Sequence, residues 1–225
     1  MMLLCSSCVA AGAQGVPTVA VSLPSASAGR TAPARPAPGS TPAWVSGQGA
    51  RLTVIPSGAE LALELFTRLD VLERGPGGAR VICSVCIPVV EGYLPEADLV
   101  TDIYPPEVAA WGTLPEFLLS VREAAVNRDM TLLRPVMAGD FTYAFVGVQT
   151  PDEAFAFWSA ENFWSLDEMA DLLDPGVRTT NGRIWAAPST FVSNPAYHGA
   201  RAGFRRRADG RWEWVYLIRD VNDRH

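Results

Sequence analysis

The chain contains no lysine, and all 18 of its basic residues are arginine. That absence removes Schiff-base enzymes, P-loop nucleotide hydrolases with their phosphate-reaching lysine, and lysine-dependent kinases. Histidine is almost as scarce: His198 and the C-terminal His225 are the only two, so histidine-rich metal sites are excluded as well. A surplus of positive charge is also missing. The formal net charge is −6 and the pI near 5.0, whereas phosphate neutralisation needs a basic face, so no nucleic-acid partner is expected. No run after the N-terminus reaches the roughly 18–20 apolar residues of a spanning helix, and no membrane span is expected. No Ser-His-Asp spacing is present, and nothing in the residues implies a cofactor.

What is present is enough for folding. With 225 residues, 48% hydrophobic and 19% charged, the chain can build one sizeable core or two small ones. The N-terminus "MMLLCSSCVAAGAQG" pairs a short apolar stretch with Ala11-Gly12-Ala13, a small-x-small pattern that suits signal peptidase. A signal peptide over 1–13 and an extracytoplasmic location (periplasm, cell surface or secreted) are therefore expected. Residues 14–48 are dominated by Ala, Pro, Ser, Gly and Thr, a composition that cannot bury enough apolar surface to offset its ordering entropy, and read as a flexible tether. Within it "VPTVAVSL" at 16–23 alternates and is compatible with an edge strand.

From 49 to 103 short alternating segments, "ARLTVIP", "LALELF", "RLDVLER" and "ARVICSV", are punctuated by "PSGAE" and "GPGGA", the pattern of a small antiparallel β barrel. "LDVLERGPGGARVICSV" followed by "EGYLPEADLV" resembles the second half of a bacterial SH3-like (SH3b) domain. Gly92, Tyr93, Leu94 and Leu99 fall on that family's Gly-Tyr/Trp-Val-x-x-x-x-Leu step, and Leu69, Val71 and Leu72 on the preceding strand. The first half departs from the family pattern at "IPSGAELALELF".

From 104 to 221 helical spacing takes over. Thr113 and Glu116 form a capping box for a helix to Arg128, and a shorter helix over 131–138 stops at Gly139. "FTYAFVG" reads as a strand. Thr150 caps a further helix with Pro151 in its first turn, and Ser165 with Glu168 caps another that closes at "DPG" over 174–176. The chain finishes in a hairpin, "AGFRRR" and "RWEWVYLIRD" around Asp209-Gly210. This order is similar to NTF2-like (SnoaL-like) domains of uncharacterised bacterial proteins. The fold class expected for the chain is α+β, a small SH3-like barrel followed by helices on a curved antiparallel sheet.

Few residues offer chemistry. Cys83 and Cys86 admit four readings: buried thiols, a disulfide, half of a metal site, or a redox couple. A regular strand would hold their α carbons about 10 Å apart, so a bond needs a turn. Their apolar surroundings, Ile82, Val85 and Ile87, point to a structural role, with neither metal nor redox activity. Cys5 and Cys8 lie in the leader. His198, in "NPAYHGAR", is either a solvated loop histidine or a general base served by Asp140 or Glu161. Phe155, Phe157, Trp158, Phe163 and Trp164 either fill a core or line an apolar pocket. On the last strand Trp212, Trp214 and Tyr216 alternate on a packed face, with Arg211, Glu213 and Arg219 opposite. Arg205, Arg206 and Arg207 either hold an anion or keep an edge strand soluble. Taken together, these residues suggest an exported, non-catalytic binding module whose ligand contacts include Tyr93, Trp158, Trp164 and His198. Its partner would be a cell-wall component, a peptide or a small apolar ligand. The alternative is an NTF2-like enzyme or carrier that uses a C-terminal cavity.

Overall fold

The computed structural model describes residues 39–144 and 149–219. The leader, "VPTVAVSL" and most of the expected tether lie outside the described residues.

The first strand appears where a tether was expected. β1 (Thr41–Val45) is paired on both sides, and its Ala43, Trp44 and Val45 are buried. Composition had hidden it, because Pro42 and the Ser/Thr residues beside it mask three apolar side chains in a row. β2 (Arg51–Val54) and β3 (Glu60–Ala62) form a short hairpin, followed by the long β4 (Leu65–Gly75), β5 (Gly78–Cys83), β6 (Val90–Leu94), a 3-10 turn (Glu96–Asp98) and β7 (Leu99–Val100). In β5, Ala79, Val81 and Cys83 point inward while Arg80 and Ile82 are more exposed, the period-2 alternation of a sheet with one packed face.

The second half opens with three helices, α1 (Pro106–Ala109), α2 (Leu114–Val126) and α3 (Met130–Leu133). The capping box on α2 forms as expected, with Thr113 Oγ1 accepting from the Glu116 amide and Glu116 Oε2 accepting from the Thr113 amide. The expected helix over 131–138 is cut short. Pro135 sits in a 3-10 turn, and β8 (Met137–Thr142) already runs through Gly139. Of "FTYAFVG", Phe141 and Thr142 belong to β8, Tyr143 and Ala144 follow it, and 145–148 lie outside the described residues.

Next come α4 (Pro151–Ala160), α5 (Trp164–Asp167) and α6 (Met169–Leu173), then β9 (Pro175–Thr179), β10 (Ile184–Ala187), α7 (Ser189–Ser193), β11 (Arg201–Arg206) and β12 (Trp212–Ile218). Ser165 does not cap a helix. It lies inside α5, and its amide donates to Glu161 Oε1 at 2.8 Å.

The protein is thus α+β, and its described residues place twelve strands in one open sheet ordered β3-β2-β6-β5-β4-β9-β10-β11-β12-β8, with β1 bridging β4 and β7. A closed small barrel over 49–103 is not what this pairing forms. The sheet passes straight through the expected boundary at 103/104, because Leu65 and Thr67 of β4 pair with Val177 and Pro175 of β9. Trp44, Phe66 and Val100 from the first half share one apolar cluster with Phe117, Leu118 and Leu173 from the second. A smaller cluster, with Leu52, Leu69, Val81 and Leu94, fills the first half alone.

Candidate functional site

The outer face of β5, β6 and β2 carries the exposed candidate. Thr53 of β2, Tyr93 of β6 and Arg80 of β5 lie opposite one another in one cross-strand row. Tyr93 stands at its centre, 48% exposed. Ile55 continues beyond β2, its amide donating to the Glu91 carbonyl at 2.9 Å, and Val89 precedes β6 at the spacing that keeps 89, 91 and 93 on one face. Ile55, Ile87 and Val89 are all exposed. Arg80 pairs with Glu91 at 2.6 Å along the same face, and that contact raises the Arg80 pKa above its usual value. The inward-facing Gly92 separates Glu91 from Tyr93; a Cβ there would run into the Thr53 carbonyl and the Leu52 side chain, so the close β2–β6 approach requires glycine.

Between β5 and β6 the chain turns, and that turn settles the geometry of the cysteines. Cys83 and Cys86 are joined by a disulfide, with their α carbons 5.3 Å apart. Of the readings left open above, the bonded one is the arrangement found.

The C-terminal candidates scatter. Trp158, expected among the ligand contacts, is 0% exposed, stacked on Trp214 at 5.6 Å and edge-on to Phe141 at 5.7 Å, the packing of a core residue. Phe141 also meets Trp214 edge-on at 5.0 Å, and these rings fill the centre that a cavity would occupy. Trp164 lies beneath the Arg219 guanidinium, which is flanked by Glu161 and Glu168 at 3.5 Å each. His198 is exposed in the loop after α7. Both carboxylates suggested for it are engaged elsewhere. Asp140 accepts from Arg205 at 2.8 Å, and this bond holds its carboxyl below the usual range; Glu161 caps α5.

Two expectations for the terminal hairpin change. β11 lies between β10 and β12 and is no edge strand, and its arginines are satisfied within the chain. Arg205 binds Asp140 and Glu213, Arg206 donates to the Gly210 carbonyl, and Arg207 pairs with Asp209 at 3.4 Å. β12 has no wet face over its first half, because Glu213 is buried between Arg205 and Arg207.

Beside this hairpin two phenols are largely enclosed. Burial pushes Tyr197 and Tyr216 up to about 12 each, against the pull of Arg201. Tyr216 packs on Gly203, where a Cβ would collide with its ring, and Tyr197 donates to the Ala200 carbonyl at 2.8 Å. Both folded values exceed the ordinary phenol value of 10.0. The stability this protonation contributes is therefore complete below pH 10 and is lost as pH rises through about 12. Absorbance at 295 nm should show a late phenolate component that Tyr197→Phe and Tyr216→Phe each reduce; titration of both phenols at the ordinary value would contradict the enclosure.

A buried charged network went unforeseen. Asp174, read in the sequence only as the start of a helix-closing "DPG", accepts from Arg122 Nε at 2.9 Å, Arg122 Nη2 at 3.2 Å and Trp44 Nε1 at 3.3 Å. Its backbone carbonyl accepts from the Arg68 amide at 2.8 Å. Arg68 Nη1 lies 3.8 Å from its carboxylate, and Arg68 Nη2 donates to Asp70 Oδ1 at 3.2 Å. Asp70 also accepts from Ser84 Oγ at 3.2 Å. This chain of charge joins β1, β4, α2 and the end of α6, and so binds the two halves together. Its local signal was a pair of charged residues, Arg68 and Asp70, at alternate positions among the apolar residues Leu69, Val71 and Leu72.

Among the described residues no group of three or more His, Cys, Asp or Glu gathers to hold a metal ion, and no helix is long and apolar enough to cross a membrane. Comparison with protein-family models, curated proteins and solved structures finds no match for this chain.

Proposed function

We propose that the protein is an exported, non-catalytic binding module that engages its partner through the outer face centred on Tyr93. The observation that carries this reading is the grouping of Tyr93, Ile55 and Val89, all exposed, on and beside one face of β2, β6 and β5. Exposed apolar side chains scattered singly need no explanation, whereas several gathered around an aromatic ring suit recognition. The order β4-β5-β6, the 3-10 turn and the return of β7 to β1 support an SH3-like reading of the first half. Helices ahead of a strand-rich end would suit an NTF2-like reading of the second half, but the rings of Trp158, Trp214 and Phe141 pack together there. That packing argues for binding at the surface over an enzyme or carrier with an internal cavity.

A peptide or cell-wall glycopeptide suits a shallow face that combines an aromatic ring with an Arg80–Glu91 pair. Purified protein should be titrated against cell-wall fragments and a peptide library, and Tyr93→Ala should weaken the best binder about 30-fold, the effect of removing a central aromatic anchor. Unchanged affinity in Tyr93→Ala would remove the face from consideration. Protein recovered from the extracytoplasmic fraction should begin at or soon after Gln14, and an intact Met1 in the cytosol would end the export reading.

A further inference from the structure

The connection from Ser84 to Val89 leaves the β5–β6 ladder after Cys83 and rejoins it at Val90. Its ties include a turn at Ser84–Val85, the Cys83–Cys86 bond, the Ser84–Asp70 hydrogen bond and the packing of Val85 and Cys86 against the smaller core. Both ends of this connection matter. At one end the exposed Val89 leads into β6 and the proposed binding face. At the other, Ser84 supplies one of the partners of Asp70, which is 1% exposed and passes on through Arg68 to Asp174 and the β4–β9 seam.

We propose that the Cys83–Cys86 bond is a redox-sensitive latch: its reduction by a dithiol frees the 84–89 connection and, through Ser84 and Asp70, loosens the seam between the two halves. Cys83 is fully buried while Cys86 is only partly so, so the incoming thiolate attacks Cys86 Sγ. A mixed disulfide forms and Cys83 leaves as a thiolate that takes up a proton. The second thiolate of the reductant then attacks its own sulfur in the mixed disulfide, releasing Cys86 to be protonated. Two electrons pass to the protein, and the reductant leaves as a cyclic disulfide. With the four-residue ring open, Ser84 is no longer fixed beside Asp70, and a carboxylate oxygen buried without its donor forces its neighbours to rearrange.

The effect on the Tyr93 face rests on the binding reading above; the effect on the seam does not. Hydrogen exchange of the full chain, followed by mass spectrometry, separates them because it needs no ligand. Three samples are compared: oxidised protein, protein reduced with dithiothreitol, and oxidised Ser84→Ala. The result expected is an exchange rate over residues 66–70, which include the Arg68 amide bonded to Asp174, at least threefold faster on reduction and in Ser84→Ala, with α2 unchanged. Acceleration confined to 84–90, uniform acceleration that includes α2, an inert Ser84→Ala, or a bond that dithiothreitol does not reduce in the folded protein would each overturn the latch. If the exchange result holds, loss of peptide or glycopeptide binding on reduction adds the Tyr93 face to the same device.

Discussion

Asp174→Ala should lower the stability of the whole protein by about 3–5 kcal/mol, the range for removing one partner of a buried ion pair and leaving the other charge behind. Four groups lose an acceptor or a neighbouring charge at once: both bonding nitrogens of Arg122, the Trp44 indole, and the Arg68 guanidinium, itself buried. Arg122 keeps its ion pair with Glu123 at 2.8 Å. Asp174→Asn keeps an oxygen for the indole and should lose less. Urea unfolding measures the difference, and a loss under about 1 kcal/mol in Asp174→Ala would mean that the seam contributes geometry without stability.

Trp158→Ala should be comparably severe, about 3–5 kcal/mol, because truncating a buried aromatic removes its transfer energy and leaves a cavity that rigid neighbours cannot close. The neighbours here are other rings, Trp214, Phe141 and Phe155, held at 5.6–5.8 Å between centroids. For a chain of this size that loss corresponds to a fall in Tm of roughly 6–20 °C. Trp158→Phe should fall less. A dry cavity of this shape also accepts a small aromatic guest, so added indole should recover part of the Tm lost in Trp158→Ala. A Tm within a degree or two of the wild type would place Trp158 at a surface and reopen the cavity reading.

The sequence disclosed most where both partners of an interaction lie within one turn of chain. Thr113 with Glu116, and Thr150 ahead of Pro151, announce helix starts that form as read, and in both helices the capping box is a contact between residues three apart, Thr113 with Glu116 and Thr150 with Glu153. Ser165 and Glu168 have the same spacing and fail. Phe163 enters the left-handed region at φ 61°, and the carboxylate that satisfies the Ser165 amide comes from Glu161, upstream of the helix. β8 was partly taken for a helix because Met, Leu and Val near 130–138 suit either period until Pro135 intervenes.

The residues that hold the halves together were beyond local reading. Trp44 and Asp174 are separated by 130 positions, and no periodicity in either neighbourhood announces the other. The aromatic run shows the same limit. Trp158 and Trp164 look alike in sequence, yet one lies at the centre of the ring cluster and the other under Arg219. α4 ends between them, so helical phase does not carry from one to the other.

The bridge between β4 and β9 also sets a timetable for synthesis. Leu65 meets Val177, so 112 residues must be made after Leu65 before its partner exists, roughly 6–22 s at ribosomal rates of about 5–20 residues per second. Throughout that interval β4 has neighbours in β1 and β5 while the edge at Leu65–Thr67 stays open. An unpaired edge next to Phe66 is the kind of surface that recruits a second chain. A nascent protein of this design gains from a holding chaperone over that window, and slowing translation beyond codon 100 should increase its aggregation, whereas slowing it within the first 60 codons should not.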